Sequence, residues 1–123
     1  MENNENNCDN YLIVIKDIKP AAKHHYLVIP RKHIVDAKCL TNADKPLVEL
    51  MIEQGKTLIQ EKSNGDLLDS RFLFHWPPFH SVPHLHLHVI FPTREMSFIN
   101  RILFKPNTWW CVSADYVLQR IST

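Results

Sequence analysis

Three histidines alternate with aliphatic residues in the run His84-Leu85-His86-Leu87-His88-Val89. A β-strand sends successive side chains to opposite faces. As a strand, the run puts all three imidazoles on one face, about 6.6 Å apart at each step. Leu85, Leu87 and Val89 then enter a core. A helix would scatter the rings around its axis. Imidazole, with an ordinary pKa of about 6.5, can serve as nucleophile, acid or base near neutral pH. Three readings compete for the triplet. One is a polar strand face in solvent, which more often carries Lys, Glu and Thr. Another is a metal site, in which His75 or His80 completes an H-x-H pair. The third is nucleophilic and acid–base catalysis by the imidazoles themselves. No Asp, Glu or Cys lies near this run or the loop before it to assist a metal, so catalysis leads.

Other chemistries lack their residues. The chain has two glycines, Gly55 and Gly65. A P-loop and a dinucleotide fingerprint each need glycines at fixed offsets. There is no G-x-S-x-G elbow and no H-E-x-x-H helix. A net charge of +1 over 123 residues gives no electrostatic case for nucleic acid as the main partner. Cys8, Cys39 and Cys111 are odd in number and never form C-x-x-C. They suit free thiols in a reducing compartment rather than a disulfide framework. No apolar run approaches the ~18–20 residues of a membrane span, and the first residues are polar. The expectation is a soluble intracellular protein, cytoplasmic with nuclear access.

The elements that must position the histidines follow from pattern. Residues 1–10 are Asn-rich and read as a frayed terminus, leaving 11–123 as a single domain. Tyr11–Lys16 and Tyr26–Ile29 read as strands, joined by a long loop from Lys19 to His25. Asn42 or Asp44 caps a helix that runs to about Lys62, with Pro46 tolerated in its first turn. Leu47, Leu50, Met51 and Leu58 share its apolar face, widened by Val48, Ile52 and Ile59. Arg71–Trp76 and His84–Phe91 are the next strands, separated by a proline-rich loop. Ser97–Phe104 is a short helical turn, Trp109–Val112 an edge strand, and Ser113 caps a last helix through Ile121. The order implies an α+β fold: an antiparallel sheet of about five strands, a long helix on one face and a short C-terminal helix.

Several of these segments together resemble the histidine triad superfamily. The H-x-H-x-H run at His84–His88 is its signature. His25-Tyr26-Leu27-Val28-Ile29-Pro30-Arg31-Lys32-His33 resembles its upstream strand and basic turn. Ile15-Lys16-Asp17-Ile18-Lys19-Pro20 resembles its first strand end. The segments come in the family's order across roughly 11–121, and the likeness is to the Hint branch. The resemblance implies hydrolysis of the bond between the α-phosphate of AMP and an amine, through a covalent AMP–histidine intermediate. His86 matches the nucleophile, and His88 the residue that binds phosphate and steers the leaving group. Ser81 matches a hydroxyl at the phosphate or leaving group, and His84 and His25 match supporting histidines. Asp17 matches the acceptor for the ribose hydroxyls, Ile18 a contact to the base, and His75 a residue near the phosphate. An aprataxin-like hydrolase of DNA 5′-adenylates, or a nucleotide-binding scaffold with weak turnover, is the alternative. Many Hint relatives have an N-terminal C-x-x-C that joins histidines matching His33 and His84 around zinc. Only Cys8 stands here, so neither a metal nor a cofactor is expected. AMP and its phosphoramidates are the expected small-molecule partners, with a homodimer formed through the long helix and a sheet edge. Asp17 and Ser81 also read as simple turn caps, and His33 reads as structural. His24 and His80 read as surface or loop residues, and Trp109 and Trp110 as core or interface.

Overall fold

The computed structural model describes residues 11–63, 67–77 and 84–122. The chain order is β1 (Leu12–Lys16), β2 (His24–Pro30), α1 (Lys45–Lys62), β3 (Arg71–His75), β4 (Leu87–Phe91), α2 (Phe98–Leu103), β5 (Cys111–Ser113) and α3 (Ala114–Ile121). The five strands make one antiparallel sheet in the order β1-β2-β4-β3-β5. This is the α+β layout that the sequence pattern predicts.

Period-two alternation sorts the sheet into two faces. Leu12 and Val14 of β1, Tyr26 and Val28 of β2, Leu87, Val89 and Phe91 of β4, and Phe74 of β3 join the main core with α1 and α3. Val48, Met51, Leu58 and Ile59 of α1 are fully buried there, each contributing on the order of 1.5–3 kcal/mol of transfer free energy. The centre of the α1 stripe lies one step from the expected face: Leu47, Leu50 and Ile52 are only partly buried, and Gly55 sits inside it. A Cβ on Gly55 would run into the Phe72 ring and come within 3.0 Å of Val89 Cγ2. The helix approaches the sheet that closely because this residue has no side chain. Entry to α1 is fixed by Asp44, whose carboxylate accepts from the Thr41 amide at 2.9 Å, with Pro46 in the first turn.

The opposite face carries a smaller cluster of Ala21, Leu73, Ile90, Met96 and Cys111, covered by Phe104 and Trp110. His25 of β2, His75 of β3 and His88 of β4 share this face by register: Leu27 and Leu73 flank His88, and His25 stands opposite Ile90. β4 is buried throughout because α1 covers one side and the 96–110 segment the other.

Several boundaries differ from expectation. β2 begins at His24, so His24 and His25 belong to the strand and not to the loop. The His24 ring stacks on Phe91, 4.8 Å between centroids, and is not a loop side chain. β4 begins at Leu87 and not at His84. β2 ends at Pro30, which has no N–H to continue the ladder. Its carbonyl takes the His84 side chain, and the Leu85 amide turns to Ile34 O at 2.6 Å. β5 is Cys111–Ser113, and Trp109 is 81% exposed rather than core. Cys8, His80, Ser81 and the polar first ten residues lie outside the described residues.

Candidate active site

Strand order decides what meets at the site. β4 runs between β2 and β3, so His88 stands between His25 on one side and His75 on the other. His25 Nε2 lies 2.9 Å from His88 Nδ1. His88 Nε2 lies 3.1 Å from His75 Nδ1. The Phe104 ring caps all three, with centroids 5.1–5.3 Å from theirs.

His86 precedes the strand, yet its ring stays on this side, 4.9 Å from that of His88. Its Nδ1 sits 2.8 Å from its neighbour's carbonyl, His84 O. A carbonyl only accepts, so Nδ1 carries the hydrogen. A neutral His86 then holds its lone pair at Nε2. His84 does a different job. Its Nε2–H donates to Pro30 O at 2.9 Å, and its ring meets His33 edge-on at 5.2 Å. The triplet therefore does not act as three equal rings on one strand face. His86 and His88 share the site, while His84 holds the entry segment in place.

Asp17 reaches the same constellation from the end of β1. Its Oδ1 accepts from the Lys19 amide at 2.8 Å, a local turn cap. Its Oδ2 lies 3.4 Å from His25 Nε2. Ile18 beside it is 74% exposed. The turn-cap reading of Asp17 and a site role thus coexist in one carboxylate.

Burial dominates the electrostatics. His25 is pushed down to about 4, by desolvation first, with Asp17 opposing and His75 and His86 adding to the depression. His88 is held well below the ordinary histidine value, again by burial first and then by His86, His25 and His75. Both rings are neutral at pH 7. Burial raises the Cys111 thiol to about 12, so it is an inert side chain on this face.

Donor atoms of His75, His86 and His88 lie within 4.8 Å of one another, as do those of Asp17, His25 and His88. Either trio has metal-ligand chemistry. In both, however, His88 already uses each ring nitrogen in a histidine–histidine hydrogen bond, so a metal would have to displace one. His75, His84 and His86 also line a shallow cleft with Val35, Asp36, Ala37, Phe74 and Leu85. A larger cleft of about 610 Å³, formed by Tyr11, Arg31, Lys32 and the start of α1, contains no histidine.

Sequence reasoning did not find Phe104, Pro30 O or the Ala21 amide, which meets His25. Phe104 follows a short helix with no chemical marker, and backbone groups leave no trace in residue type.

A family model described as scavenger mRNA decapping enzyme C-term binding matches residues 2–103. An adenosine 5′-monophosphoramidase HINT3 of Xenopus tropicalis is 42% identical over 92% of this chain and 74% of its own length. That of Mus musculus is 44% identical over 93% of this chain and 70% of its own. This chain belongs to the histidine triad family. A HIT family hydrolase from Legionella pneumophila superposes with a TM-score of 0.63 at 28% identity, over 68% of this chain and 75% of that one. An aprataxin ortholog in complex with DNA shares the fold, with a TM-score of 0.61 at 20% identity, over 94% of this chain and 66% of that one. The histidine triad resemblance and its fold therefore stand.

Proposed function

We propose that this protein is a nucleoside phosphoramidate hydrolase that cleaves the P–N bond between AMP and an amine. The observation that carries the reading is the state of His86. Its Nδ1–H is committed to His84 O, which leaves the Nε2 lone pair for attack beside two neutral histidines. The monophosphoramidase relatives at 42–44% identity support the substrate class. Nε2 forms a bond to the α-phosphorus as the P–N bond breaks, and the amine departs with a proton supplied by His88 or Ser81. Water then attacks phosphorus, returning a proton to that group, AMP leaves, and His86 regains its Nε2 lone pair. Splitting one displacement into two easier ones is the gain of covalent catalysis.

In this proposal His88, exchanging its hydrogen bond to His75 for one to substrate, and Ser81 contact the phosphate and the leaving group, and His75 lies near the phosphate. His25 and His84 support the pair His86–His88. Asp17 accepts from the ribose hydroxyls, which suits an acceptor-only carboxylate, and Ile18 lies against the base. No cofactor and no metal take part. The active form is a homodimer paired through α1 and a sheet edge. In its support, Leu47 and Leu50 line the open cleft beside Tyr11. The protein works in the cytoplasm and nucleus; among the described residues no helix is long and apolar enough to cross a membrane.

Aprataxin of Gallus gallus is also a relative, 33% identical over 89% of this chain but only 33% of its own length. A competition between an AMP–amine phosphoramidate and a DNA 5′-adenylate separates the two readings. The proposal expects kcat/KM to favour the phosphoramidate by at least tenfold. A preference for the adenylated DNA would replace it, and AMP binding without turnover of either would leave a scaffold.

A further inference from the structure

The orientation of His86 depends on a peptide group that belongs to its neighbours. His86 Nδ1–H donates to His84 O at 2.8 Å, and that carbonyl shares one planar peptide unit with the Leu85 amide. In a trans peptide the C=O and the N–H point in opposite directions, so fixing one aims the other. The Leu85 N–H donates to Ile34 O at 2.6 Å. The Leu85 side chain is buried in the main core. The His84 ring adds a further hold: its Nε2–H donates to Pro30 O at 2.9 Å, and the His33 ring packs against it edge-on.

Both acceptors stand on one short segment, residues 30–34. The register of β2 and β4 pairs Val28 with Leu87, and continuing it would set Pro30 opposite Leu85. The ladder stops before that pair. The His84 imidazole takes the Pro30 carbonyl, and the Leu85 amide goes to Ile34. The segment is itself tied down. Its Arg31 amide donates to Tyr11 O at 2.7 Å, and Lys32 Nζ lies 3.7 Å from Asp44 Oδ1 at the entry to α1.

We propose that segment 30–34, by gripping the His84 ring and the Leu85 amide, aims the His84 carbonyl at His86 Nδ1 and so keeps the lone pair of His86 on Nε2. His84 is then a positioning residue that acts through His86 and not on substrate. The hold matters most as the reaction proceeds. When Nε2 bonds to phosphorus the His86 ring becomes cationic, and a charged donor binds an oxygen roughly twice as strongly as a neutral one. A peptide whose N–H is already donated is also the better acceptor at its carbonyl. The aimed carbonyl therefore favours the transition state over bound substrate, which puts the effect in kcat and not in KM. The inference rests on the reading of His86 as nucleophile.

Variants at His84 separate grip from bulk. His84→Gln carries an amide N–H to about the place of the ring Nε2. His84→Asn is one methylene shorter and falls short of Pro30 O. His84→Phe keeps a ring without a donor. The single-turnover rate of adenylylation should fall about tenfold in the Asn and Phe variants, the scale of one weakened hydrogen bond to a charged group, with KM changed little. The Gln variant should recover most of that loss. The polar Asn variant carries the test if the Phe variant does not fold. Long-range proton–nitrogen correlation NMR on the full chain with labelled histidine reads the cause. In wild type at pH 7 the hydrogen of His86 should sit on Nδ1, and His84 should carry one on Nε2. In the Asn and Phe variants His86 should show both tautomers. Wild-type rates in those two variants overturn the proposal, as does a loss that Gln fails to recover. A bare His84 Nε2, or a His86 that stays wholly on the Nδ1–H form in the Asn and Phe variants, overturns it as well. The two readings fail separately. Expected tautomers together with an adenylyl adduct that survives His86→Ala would sink the nucleophile alone. An adduct on His86 with undiminished rates in the Asn and Phe variants would sink the grip alone.

Discussion

Lowering the pH from 7 to 5 should destabilise this protein, and His25 sets the minimum size of the effect. In the unfolded chain a histidine has a pKa of about 6.5 and takes up about 0.7 of a proton over this interval. In the folded protein burial holds His25 down to about 4, so it takes up almost none. The unfolded state then binds more protons, and stability falls with pH at about 1.4 kcal/mol per unit below 6.5. The sign follows from the depression: the contribution is whole above pH 6.5 and drains away as pH falls toward 4. Over pH 7 to 5 this amounts to about 2 kcal/mol for His25. His88, buried beside it and lowered for the same reason, acts in the same direction. The Asp69 carboxyl, lowered chiefly by its bond from Thr93, loses its contribution only below this window. Urea unfolding at pH 7 and pH 5 measures the change. NMR titration of the imidazole C–H signals assigns it, since folded His25 should not titrate above pH 5 and folded His88 should titrate well below an ordinary histidine. Stability equal within about 0.5 kcal/mol at the two pH values would refute the reasoning, as would a folded His25 that titrates near 6.5.

Three further changes test the frame around the site. Gly55→Ala gains about 1 kcal/mol of helix propensity but forces the Phe72 ring aside, at about 1–3 kcal/mol; the net expectation, read by thermal melting, is a destabilisation of about 1 kcal/mol. Ser113→Ala removes the side chain that accepts from the Tyr116 amide at 3.1 Å and should cost about 1 kcal/mol by urea unfolding, with kcat unchanged. Phe104→Ala uncovers His25, His75 and His88 to water. It should raise the pKa of His25 toward its ordinary value in an NMR titration and lower kcat at the same time.

The sheet and long helix were legible because burial writes itself into residue type. Leu85, Leu87 and Val89 alternate with histidines, and the apolar positions from Leu47 to Ile59 recur at helical steps. His86 and His88 were legible for the same reason. The start of β4 was not, because it depends on Pro30, a residue of another strand that cannot extend the ladder. Nor was the separate task of His84, which follows from the Pro30 carbonyl. Asp17 illustrates a mixed case. Its turn-cap chemistry is local and visible in the sequence, whereas its approach to His25 depends on β1 and β2 lying side by side. The α1 stripe was displaced by one step because a glycine scores as nothing in an apolar pattern, although Gly55 marks the tightest contact of helix and sheet.

The most direct test of the central claim is a single-turnover reaction with an AMP–amine phosphoramidate, quenched early and read by intact mass and peptide mapping. Wild type should release amine in a burst and carry one adenylyl group on His86, with excess EDTA present or absent. His86→Ala should show neither burst nor adduct. An adduct on another residue, an undiminished burst in His86→Ala, or activity abolished by EDTA would contradict the account.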